Sequence, residues 1–363
     1  MDKEEWKYEY WFACIRKVRN KTKKKIRENM GSAKDIFNIE ETTLKCFTER
    51  EEERYEILSG RKKWDLETRY EKLLVDRITF LPYFHPDYPK TLENLAIPPY
   101  ALYLKGHVIP KNTVKAAIVG ARHCSPYGEK MAIEFGEALA KCGIDIVSGM
   151  ARGVDGAGHR GALNVGGRSY GILGSGVDIC YPKEHIGLYV DLQEQGGLIS
   201  EFPPGTPPLP QNFPARNRII SALADVILVM EAKEKSGSLI TATCALEQGK
   251  MVYAIPGAVN DALSRGCHKL IYDGAGIAYS PEILLDEWGL SVKKKTNLSE
   301  KSKLGLATDL DLVYSCLDLR PKNLDHIIRK TGFSPGKTAG ILGQLILMGL
   351  VKETGRQYYI RLE

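Results

Sequence analysis

The sequence lacks three features that would assign it to a specialised class of protein. No stretch approaches the ~18 to 20 consecutive apolar residues that a membrane-spanning helix needs. None of the eight cysteines stands in a CxxC pair of the kind that marks zinc or redox sites. The opening residues 1–5 are too charged for a secretory signal. We therefore expect a cytoplasmic protein with reduced thiols and without a metal or other cofactor.

Composition and charge indicate a globular chain with distinct regions. The chain has 363 residues, of which 43% are hydrophobic and 26% charged, and this excludes a collagenous or wholly disordered protein. Residues 115–289 hold 25 of the 35 glycines and 15 basic against 19 acidic side chains, whereas residues 1–114 hold 23 basic and 19 acidic ones. If the glycine-rich region binds nucleic acid, a local cluster of cations must do so.

Six short apolar runs in the glycine-rich region alternate with helical patterns. They cover residues 116–119, 144–147, 170–173, 198–200, 226–230 and 251–255. Strand, turn and helix repeated at this spacing predict an α/β fold with a doubly wound parallel sheet. Ligands of such sheets bind outside the carboxyl ends of the strands, so the turns that follow the strands are the candidate functional segments.

The first two of these turns combine glycine with arginine. Gly120 and Arg122 follow the first predicted strand, and the turn after the second carries Ser148, Gly149 and Arg152. Glycine lets the backbone approach a ligand, free amides at the next helix start favour an anion, and arginine adds a bidentate phosphate donor. The first turn is not GxGxxG, and the second strand ends in Ser-Gly without the acid that a dinucleotide ribose requires, which weighs against NAD.

Later turns add potential contacts for an anionic strand. Lys183 follows the third predicted strand, and the segment before the fifth has Phe213 followed by Arg216, Asn217 and Arg218. An aromatic ring beside cations suits single-stranded nucleic acid, whose bases stack and whose phosphates need neutralising. The turn after the fifth strand is a small-hydroxyl anion nest at a helix start, formed by Ser236, Gly237 and Ser238.

Together these motifs resemble one known family. The strings VGAR, SGMARGVD, LGSGVDICYP, ISEFPPG, FPARNRII and SGSLITA occur in the order found in the DNA-processing protein A family (DprA/Smf), over about residues 80–288. The resemblance implies an extended Rossmann-like core that binds single-stranded DNA without catalysis. It also implies a homodimer that protects incoming DNA during natural transformation and helps to load the RecA recombinase onto it.

The resemblance also implies roles for particular residues. Arg122 matches the family's phosphate-binding arginine, and Lys183 and the Arg216–Arg218 run match its basic contacts to the strand. Phe213 matches the aromatic residue before the helix, where it either stacks on a base or fills the core. For the apolar contact of the dimer we expect Leu270, Ile271 and Ile277.

Two other functions stay open at this point. A Rossmann-type protein that binds or cleaves a nucleotide would use Glu247 or Asp155 as its acid, although a capping or solvated carboxylate is the simpler interpretation. Asp155 and His159 lie four residues apart, which favours a helix cap and a satisfied histidine over two members of a triad. The third possibility is a regulatory protein that acts mainly through its carboxyl-terminal region.

The flanking regions predict further domains. Residues 1–78 predict a small helical domain of the SAM or helix-hairpin-helix kind, in which residues 16–27 hold eight basic side chains and no acid. That basic run is either a solvated face or a phosphate contact. Residues 79–289 form the predicted Rossmann-like DNA-binding core and residues 290–308 a solvated linker. Residues 309–363 predict a winged helix, whose third helix has few side chains for reading bases, so a packing or protein-contact role is favoured.

Overall fold

The chain forms two compact units. The computed structural model describes residues 3–290, 308–318 and 321–362. One unit comprises residues 1–291 and the other residues 292–363, and nearly all of the predicted linker lies outside the described residues. Within the described ranges, no helix is both long enough and apolar enough to cross a membrane.

Helices occupy the amino-terminal part of the larger unit. They are α1 (Lys3–Cys14), α2 (Asn20–Met30), α3 (Ala33–Asn38), α4 (Glu41–Lys45), α5 (Glu51–Lys63) and α6 (Leu66–Val75). Local signals set several of their ends: Ser32 and Asp65 accept backbone hydrogen bonds as N-caps, and Gly31 ends α2 with a φ of 77° in the left-handed region.

A nine-stranded sheet forms the centre of the same unit. Its strands are β1 (Thr79–Pro82), β2 (Ala101–Gly106), β3 (Lys115–Val119), β4 (Asp145–Ser148), β5 (Ser169–Ile172), β6 (Gly196–Ser200), β7 (Val226–Val229), β8 (Met251–Ala254) and β9 (Gly276–Ile277). The helices among them are α7 (Pro126–Lys141), α8 (Val154–Asn164), α9 (Ile186–Gln195), α10 (Asn212–Leu223), α11 (Gly237–Glu247), α12 (Arg265–Tyr272) and α13 (Pro281–Glu287). Each of the six apolar runs overlaps one of the strands from β3 to β8.

The strand order, β1-β2-β6-β5-β4-β3-β7-β8-β9, makes the sheet doubly wound. The chain winds outward from β3 to β6, crosses to β7 on the other side of β3, and winds outward again, with all pairs from β6 to β9 parallel. The strand order therefore reverses between β3 and β7. Doubly wound sheets bind their ligands at such a point, outside the carboxyl ends of the strands.

The six predicted strands, β3 to β8, are parallel, and the antiparallel pairs at one end of the sheet involve strands that were not predicted. Strand β2 is antiparallel to both β1 and β6. The segment between β1 and β2 contains only the short 3-10 turn Lys90–Asn94 in place of the crossover helix that a parallel pair requires. Two antiparallel pairings in succession restore the direction, so β1 runs the same way as β3 to β8.

Both faces of the central strands are covered, which explains their uninterrupted apolar sequences. In β3, Ala117 and Val119 pack in one buried cluster, whereas Ala116 and Ile118 pack in another on the opposite face. The amino-terminal helices extend this core, since the ring of Tyr10 lies 5.6 Å from that of Phe80 and 6.1 Å from that of Tyr103. The predicted helical domain and the predicted core thus join in one compact unit.

The smaller unit has three helices and a three-stranded antiparallel sheet of order β10-β12-β11. Its elements are α14 (Thr308–Ser315), β10 (Lys322–Asn323), α15 (Leu324–Thr331), α16 (Pro335–Leu347), β11 (Val351–Gly355) and β12 (Tyr358–Arg361). Ser334 accepts a hydrogen bond from the Lys337 amide and Pro335 follows it, as the sequence predicts for the start of α16. The helices and the final hairpin follow the predicted order, and the assignment to the winged-helix class stays a prediction.

A buried lysine gives the larger unit a pH-dependent stability. Burial lowers the pKa of Lys23 to about 8, while its Nζ donates a hydrogen bond to the carbonyl of Ala13 at 2.6 Å. The unfolded chain keeps this proton up to a pKa of about 10.4. Between pH 8 and pH 10 the unfolded state therefore binds more protons, and this residue makes folding more favourable as pH rises.

We expect Lys23→Met to remove that dependence. The free energy of unfolding of the variant minus that of the wild type should fall by about 2 kcal/mol between pH 7 and pH 10. Urea denaturation at a series of pH values measures it, and Lys24→Met on the same helix is the control. A difference that stays constant with pH would mean that Lys23 keeps an ordinary pKa in the folded protein.

Candidate nucleic-acid interface

A cleft of about 540 Å³ opens at the carboxyl edge of the sheet, where the strand order reverses. Its walls come from the turns after β3, β4, β5 and β7 and from the start of α10. Of the predicted site residues, those that line it are Gly120, Arg122, Phe213, Arg216, Asn217, Ser236, Gly237 and Ser238. Gly149 and Arg152 line a smaller depression that shares Arg122 and Phe213 with the cleft. Ser148, Lys183 and Arg218 line neither of them.

Arg122 and Phe213 are in contact in this cleft. The guanidinium of Arg122 lies over the Phe213 ring, 5.5 Å from its centroid, and the Tyr181 ring packs 5.5 Å from the same ring. Arg122 is exposed and forms no ion pair with any carboxylate of the described chain. Phe213 is half-buried and seated on Gly174, where an added Cβ would lie 2.8 Å from the ring. A fixed ring with a free cation above it suits a stacked base and its phosphate.

Arg216 has a different position from the one that the sequence suggested. It is 4% exposed, and its Nη1 donates to the backbone carbonyls of Gly149, at 2.8 Å, and of Ile172. Burial lowers its pKa to about 10, and the nearby Asp155 opposes that shift. Its guanidinium therefore joins the ends of β4 and β5 within the protein. A direct contact between this side chain and DNA stays a prediction that the geometry does not favour.

The predicted contacts at Ser148 and Gly149 are also turned inward. The Ser148 hydroxyl donates to the Ile118 carbonyl at 2.5 Å, and the Gly149 amide donates to Asp155 Oδ2 at 3.1 Å. Both residues are buried, and a Cβ at Gly149 would lie 2.6 Å from the Arg216 guanidinium. The glycine is needed for close packing of the protein against itself rather than for approach of a ligand.

Arg218 forms an ion pair with Glu201 at the carboxyl end of β6. Both side chains are largely buried, at 20% and 10% exposure, and burial raises the pKa of Glu201 although Arg218 opposes the rise. The arginine is thus held by a protein carboxylate. Of the two arginines in the Arg216–Arg218 run, neither presents a free guanidinium, whereas Asn217 lines the cleft and donates to the Gly237 carbonyl at 3.3 Å.

The amino terminus of α7, predicted as an anion site, is occupied by the chain itself. Buried Glu231 accepts hydrogen bonds from the Ser125 amide at 2.8 Å and from the Ser125 hydroxyl at 2.5 Å. A carboxylate at a helix start is stabilised by the helix dipole, so this position already holds its anion. Gly120, just before it, packs so closely on Val154 that a Cβ would lie 2.7 Å from that side chain.

The amino terminus of α11 remains open to the cleft. Ser236 caps this helix by accepting a hydrogen bond from the Ser238 amide at 3.4 Å, and the two hydroxyls lie 2.8 Å apart. Gly237 is exposed, and a Cβ added there would meet no described atom within 4 Å. Hydroxyl groups and helix amides in this arrangement can donate to a phosphate oxygen.

Two further cations lie beside the cleft. Lys183 is exposed, follows the cis peptide bond between Tyr181 and Pro182, and forms no ion pair with a described carboxylate. Arg152 pairs with Glu184. A backbone hydrogen bond and, to a smaller extent, this pair keep the pKa of Glu184 below its ordinary value. Lys183 is therefore the freer of the two charges.

The groups proposed for an enzyme do not assemble in this cleft. Glu247 ends α11, about 15 Å along the helix from the end that opens into the cleft. Burial raises the pKa of Asp155, which accepts the Gly149 amide and sits beside Arg216. His159 Nδ1 lies 2.6 Å from the Ser169 hydroxyl, and burial lowers the pKa of this histidine to about 3. His159 is therefore a neutral core residue, bonded at Nδ1 and without a partner at Nε2 among the described residues.

The sequence did not predict the acids that pair with an arginine or accept hydrogen bonds at a helix end, Glu201 and Glu231. Glu201 and Glu231 each directly follow an apolar strand or lie one residue beyond it, at the same edge as the predicted cations. Acids at that place were a signal that part of the positive charge is used internally. No group of three or more His, Cys, Asp or Glu side chains among the described residues is placed to hold a metal ion.

The predicted dimer residues fall into two groups. Leu270 and Ile271, on α12, are half-buried and pack against the core of the larger unit. Ile277 is 50% exposed on β9, the edge strand, and Tyr279 beside it is 64% exposed. An exposed apolar edge is available for association at Ile277, whereas Leu270 and Ile271 are only partly accessible, and a dimer contact at all three stays a prediction.

The internal role of Arg216 can be tested by stability. We expect Arg216→Met to lower the free energy of unfolding by about 3 kcal/mol or more, because it leaves two carbonyls buried without their donor and removes the positive charge beside buried Asp155. Arg122→Ala should change it by less than about 0.5 kcal/mol. Urea denaturation measures both, and equal stability of the two variants would contradict the assigned division of roles.

Comparison with known proteins identifies the family. The family model for DNA recombination-mediator protein A matches residues 79–289. Protein Smf of Synechocystis is 32% identical over 319 residues, 78% of this chain and 80% of that protein. Protein Smf of Escherichia coli is 46% identical over 200 residues, 55% of this chain and about half of the relative's length (54%).

Solved structures of DNA processing protein A are also similar to this chain. DNA processing protein A from Streptococcus pneumoniae superposes with a TM-score of 0.68 at 32% identity, covering 77% of this chain and 97% of that one. A structure of DNA processing protein A from Helicobacter pylori, described in terms of its single-stranded DNA binding mode, gives 0.54 at 30% identity, covering 58% and 95%. The sheet, its cleft and the matched motifs together place this chain in the DNA recombination-mediator protein A (DprA/Smf) family.

Proposed function

We propose that the protein binds single-stranded DNA along the carboxyl edge of its sheet and acts as a mediator of recombination. The observation that carries the proposal is Arg122. Its exposed guanidinium has no carboxylate partner in the described part of the chain, and it is held over a half-buried aromatic ring at the ligand-binding point of a doubly wound sheet. The single-stranded DNA binding described for the Helicobacter pylori relative supports this choice of ligand.

Different groups in the cleft would contact the phosphates and the bases of the strand. A phosphate would be held by Arg122, with Lys183 beside it and the open amino terminus of α11 opposite. A base would stack on Phe213 or Tyr181, which tolerate any sequence because every base has a π-face. This site would bind a strand through its charge and its bases without reading its sequence.

The proposed function has no catalytic step. Asp155, the acid in the cleft, accepts the Gly149 amide and lies beside the charge of Arg216. Glu247 lies at the far end of α11. The function proposed is protection of incoming or recombining DNA and delivery of that DNA to the RecA recombinase, by a homodimer in the cytoplasm. The family's description as a recombination mediator supports it.

DNA binding is tested with Arg122→Ala. We expect fluorescence anisotropy of a labelled oligo-dT to show about tenfold or greater weakening, because a charge-assisted phosphate contact is lost, and a smaller salt dependence, by about 0.7 in the slope of log K against log salt. Lys63→Ala, which removes an exposed charge at the end of α5, is the control. The same variants are then compared in RecA-driven strand exchange.

Three outcomes would count against parts of this proposal. If wild-type protein does not bind the strand, the DNA-binding function is wrong. Unchanged binding by Arg122→Ala would mean that the cleft is not the binding site. Tight DNA binding without any effect on strand exchange would remove the role in delivering DNA to RecA and leave the binding role in place.

The dimer is tested at Ile277. Because this side chain is half exposed on an edge strand, Ile277→Glu should leave the fold intact and halve the mass measured by light scattering. Thr243→Glu, on an exposed position of α11, is the matched control. A wild-type monomer would contradict the dimer, and a dimeric Ile277→Glu protein would exclude this edge as its interface.

A further inference from the structure

The basic run in the amino-terminal helices is divided by the fold into two groups. Lys17 pairs with Glu56 at 2.9 Å, Arg19 with Glu53 at 2.7 Å, and Lys23 is buried. These three cations serve the protein itself, as does Arg27, which pairs with buried Glu9 at 2.7 Å. What remains on the outside of α2 is a group of three lysines, Lys21, Lys24 and Lys25.

The three lysines share the face of α2 that points away from the core. Thr22, Lys23 and Ile26 form the buried side of the helix, and the outer three lie opposite to them at helical spacing. Glu28 Oε1 lies 3.9 Å from Lys24 Nζ in an exposed pair, which contributes little. Lys21 and Lys25 form no ion pair with any carboxylate in residues 3–290.

Aromatic rings lie beside these lysines. Lys24 Nζ is 5.1 Å from the Tyr83 ring centroid. The neighbouring ring, Phe84, lies 4.9 Å from the guanidinium of Arg27, which is held by Glu9. Phe84 is 39% exposed, in an edge-to-face contact with Tyr83 at 5.2 Å. Cations interleaved with accessible aromatic rings are the combination that binds single strands without sequence preference.

The topology places this surface at the same edge of the sheet as the cleft. Tyr83 and Phe84 directly follow β1, and β1 runs in the same direction as β3 to β8 because two antiparallel pairings intervene. Five strand spacings separate β3 from β1, which at ~4.8 Å each is ~24 Å. The lysine face thus lies at one end of this edge, and the cleft lies near its middle.

A direct contact links the segment before α2 to the loop that lines the cleft. Arg16, just before α2, donates from Nη2 to the Thr206 hydroxyl at 2.8 Å. Thr206 belongs to the proline-rich loop after β6, and Pro208 and Pro210 of that loop line the cleft. The guanidinium of Arg16 is itself exposed and has no carboxylate partner among the residues described. Positive charge therefore continues from the cleft to α2 across this loop.

We infer that Lys21, Lys24 and Lys25, with Tyr83 and Phe84, form a second single-strand contact that extends the cleft along the edge of the sheet. This inference rests on the proposed function, because it describes where a strand bound at Arg122 continues. The lysines would neutralise phosphates, and Phe84 would offer a ring to a base. A strand that is confined to the cleft would not reach them.

The test uses the full-length chain with Lys21, Lys24 and Lys25 all changed to Ala. Anisotropy is measured with oligo-dT of about 6 and about 20 nucleotides, of which the first is near the lower end and the second above the roughly 4 to 16 nucleotides of typical single-strand sites. For the long strand, we expect weaker binding and a salt slope smaller by about 2, since each phosphate contact on a single strand contributes about 0.7. Binding of the short strand should be unchanged.

The matched control changes Lys62, Lys63 and Lys72 to Ala. These exposed lysines lie on α5 and α6, and the latter leads to the amino end of β1, at the opposite edge of the sheet. The control removes the same charge and should keep the long-strand slope. Phe84→Ala should weaken long-strand binding with an unchanged slope, because stacking on a ring releases no counterions.

The outcomes separate this inference from the proposed function. If the α2 variant binds the long strand as wild type does while Arg122→Ala loses it, the extended contact is wrong and the cleft stands. Equal losses in the α2 variant and in its control would mean that only net charge matters, which also overturns the inference. If wild type binds neither strand, the proposed function fails first.

Discussion

One buried guanidinium holds the carboxyl edge of the sheet in shape. Arg216 bonds the carbonyl ends of β4 and β5 and sits beside Asp155, which in turn accepts the amide of Gly149. These groups would otherwise be buried polar atoms without partners, each costing about 1 to 3 kcal/mol. The turns that carry Arg122 and Tyr181, and the start of α10 with Phe213, lie beside this network, so the candidate site depends on a residue that is turned away from solvent.

The edge contains many cations, and the fold uses most of them. Arg218 is neutralised by Glu201, Arg152 by Glu184, and the start of α7 is filled by Glu231. These pairs leave a few charges free at defined points, such as Arg122 and Lys183. In the proposed binding, affinity would depend on this small number of unpartnered cations rather than on the formal net charge of +6.

Much of the fold follows from the sequence, since the six apolar runs and their glycine turns specify β3 to β8 and the doubly wound order. The antiparallel pair β1 and β2 was not predicted, because pairing direction depends on how a connection closes in space rather than on local pattern. The place of Arg122 directly after a predicted strand put it at the edge of the sheet, and the structure has it in the cleft there. The string Ala-Arg-Asn-Arg at residues 215–218 gave no means of distinguishing outward from inward arginines. That difference arises from partners, Gly149, Ile172 and Glu201, that are distant in sequence.

The ring of Phe213 couples the two kinds of contact that a strand would make. Gly174 lies close behind the ring, so its position is fixed before any ligand arrives, which limits the entropy lost on binding. Arg122 covers the ring, and a base stacking there must take the place of the guanidinium. A displaced Arg122 would stay next to the ring, since its backbone adjoins the cleft, and would be available to the phosphate attached to that base. Stacking and phosphate neutralisation would thus be linked steps at the one point of the sheet edge where this cation and this ring are packed together.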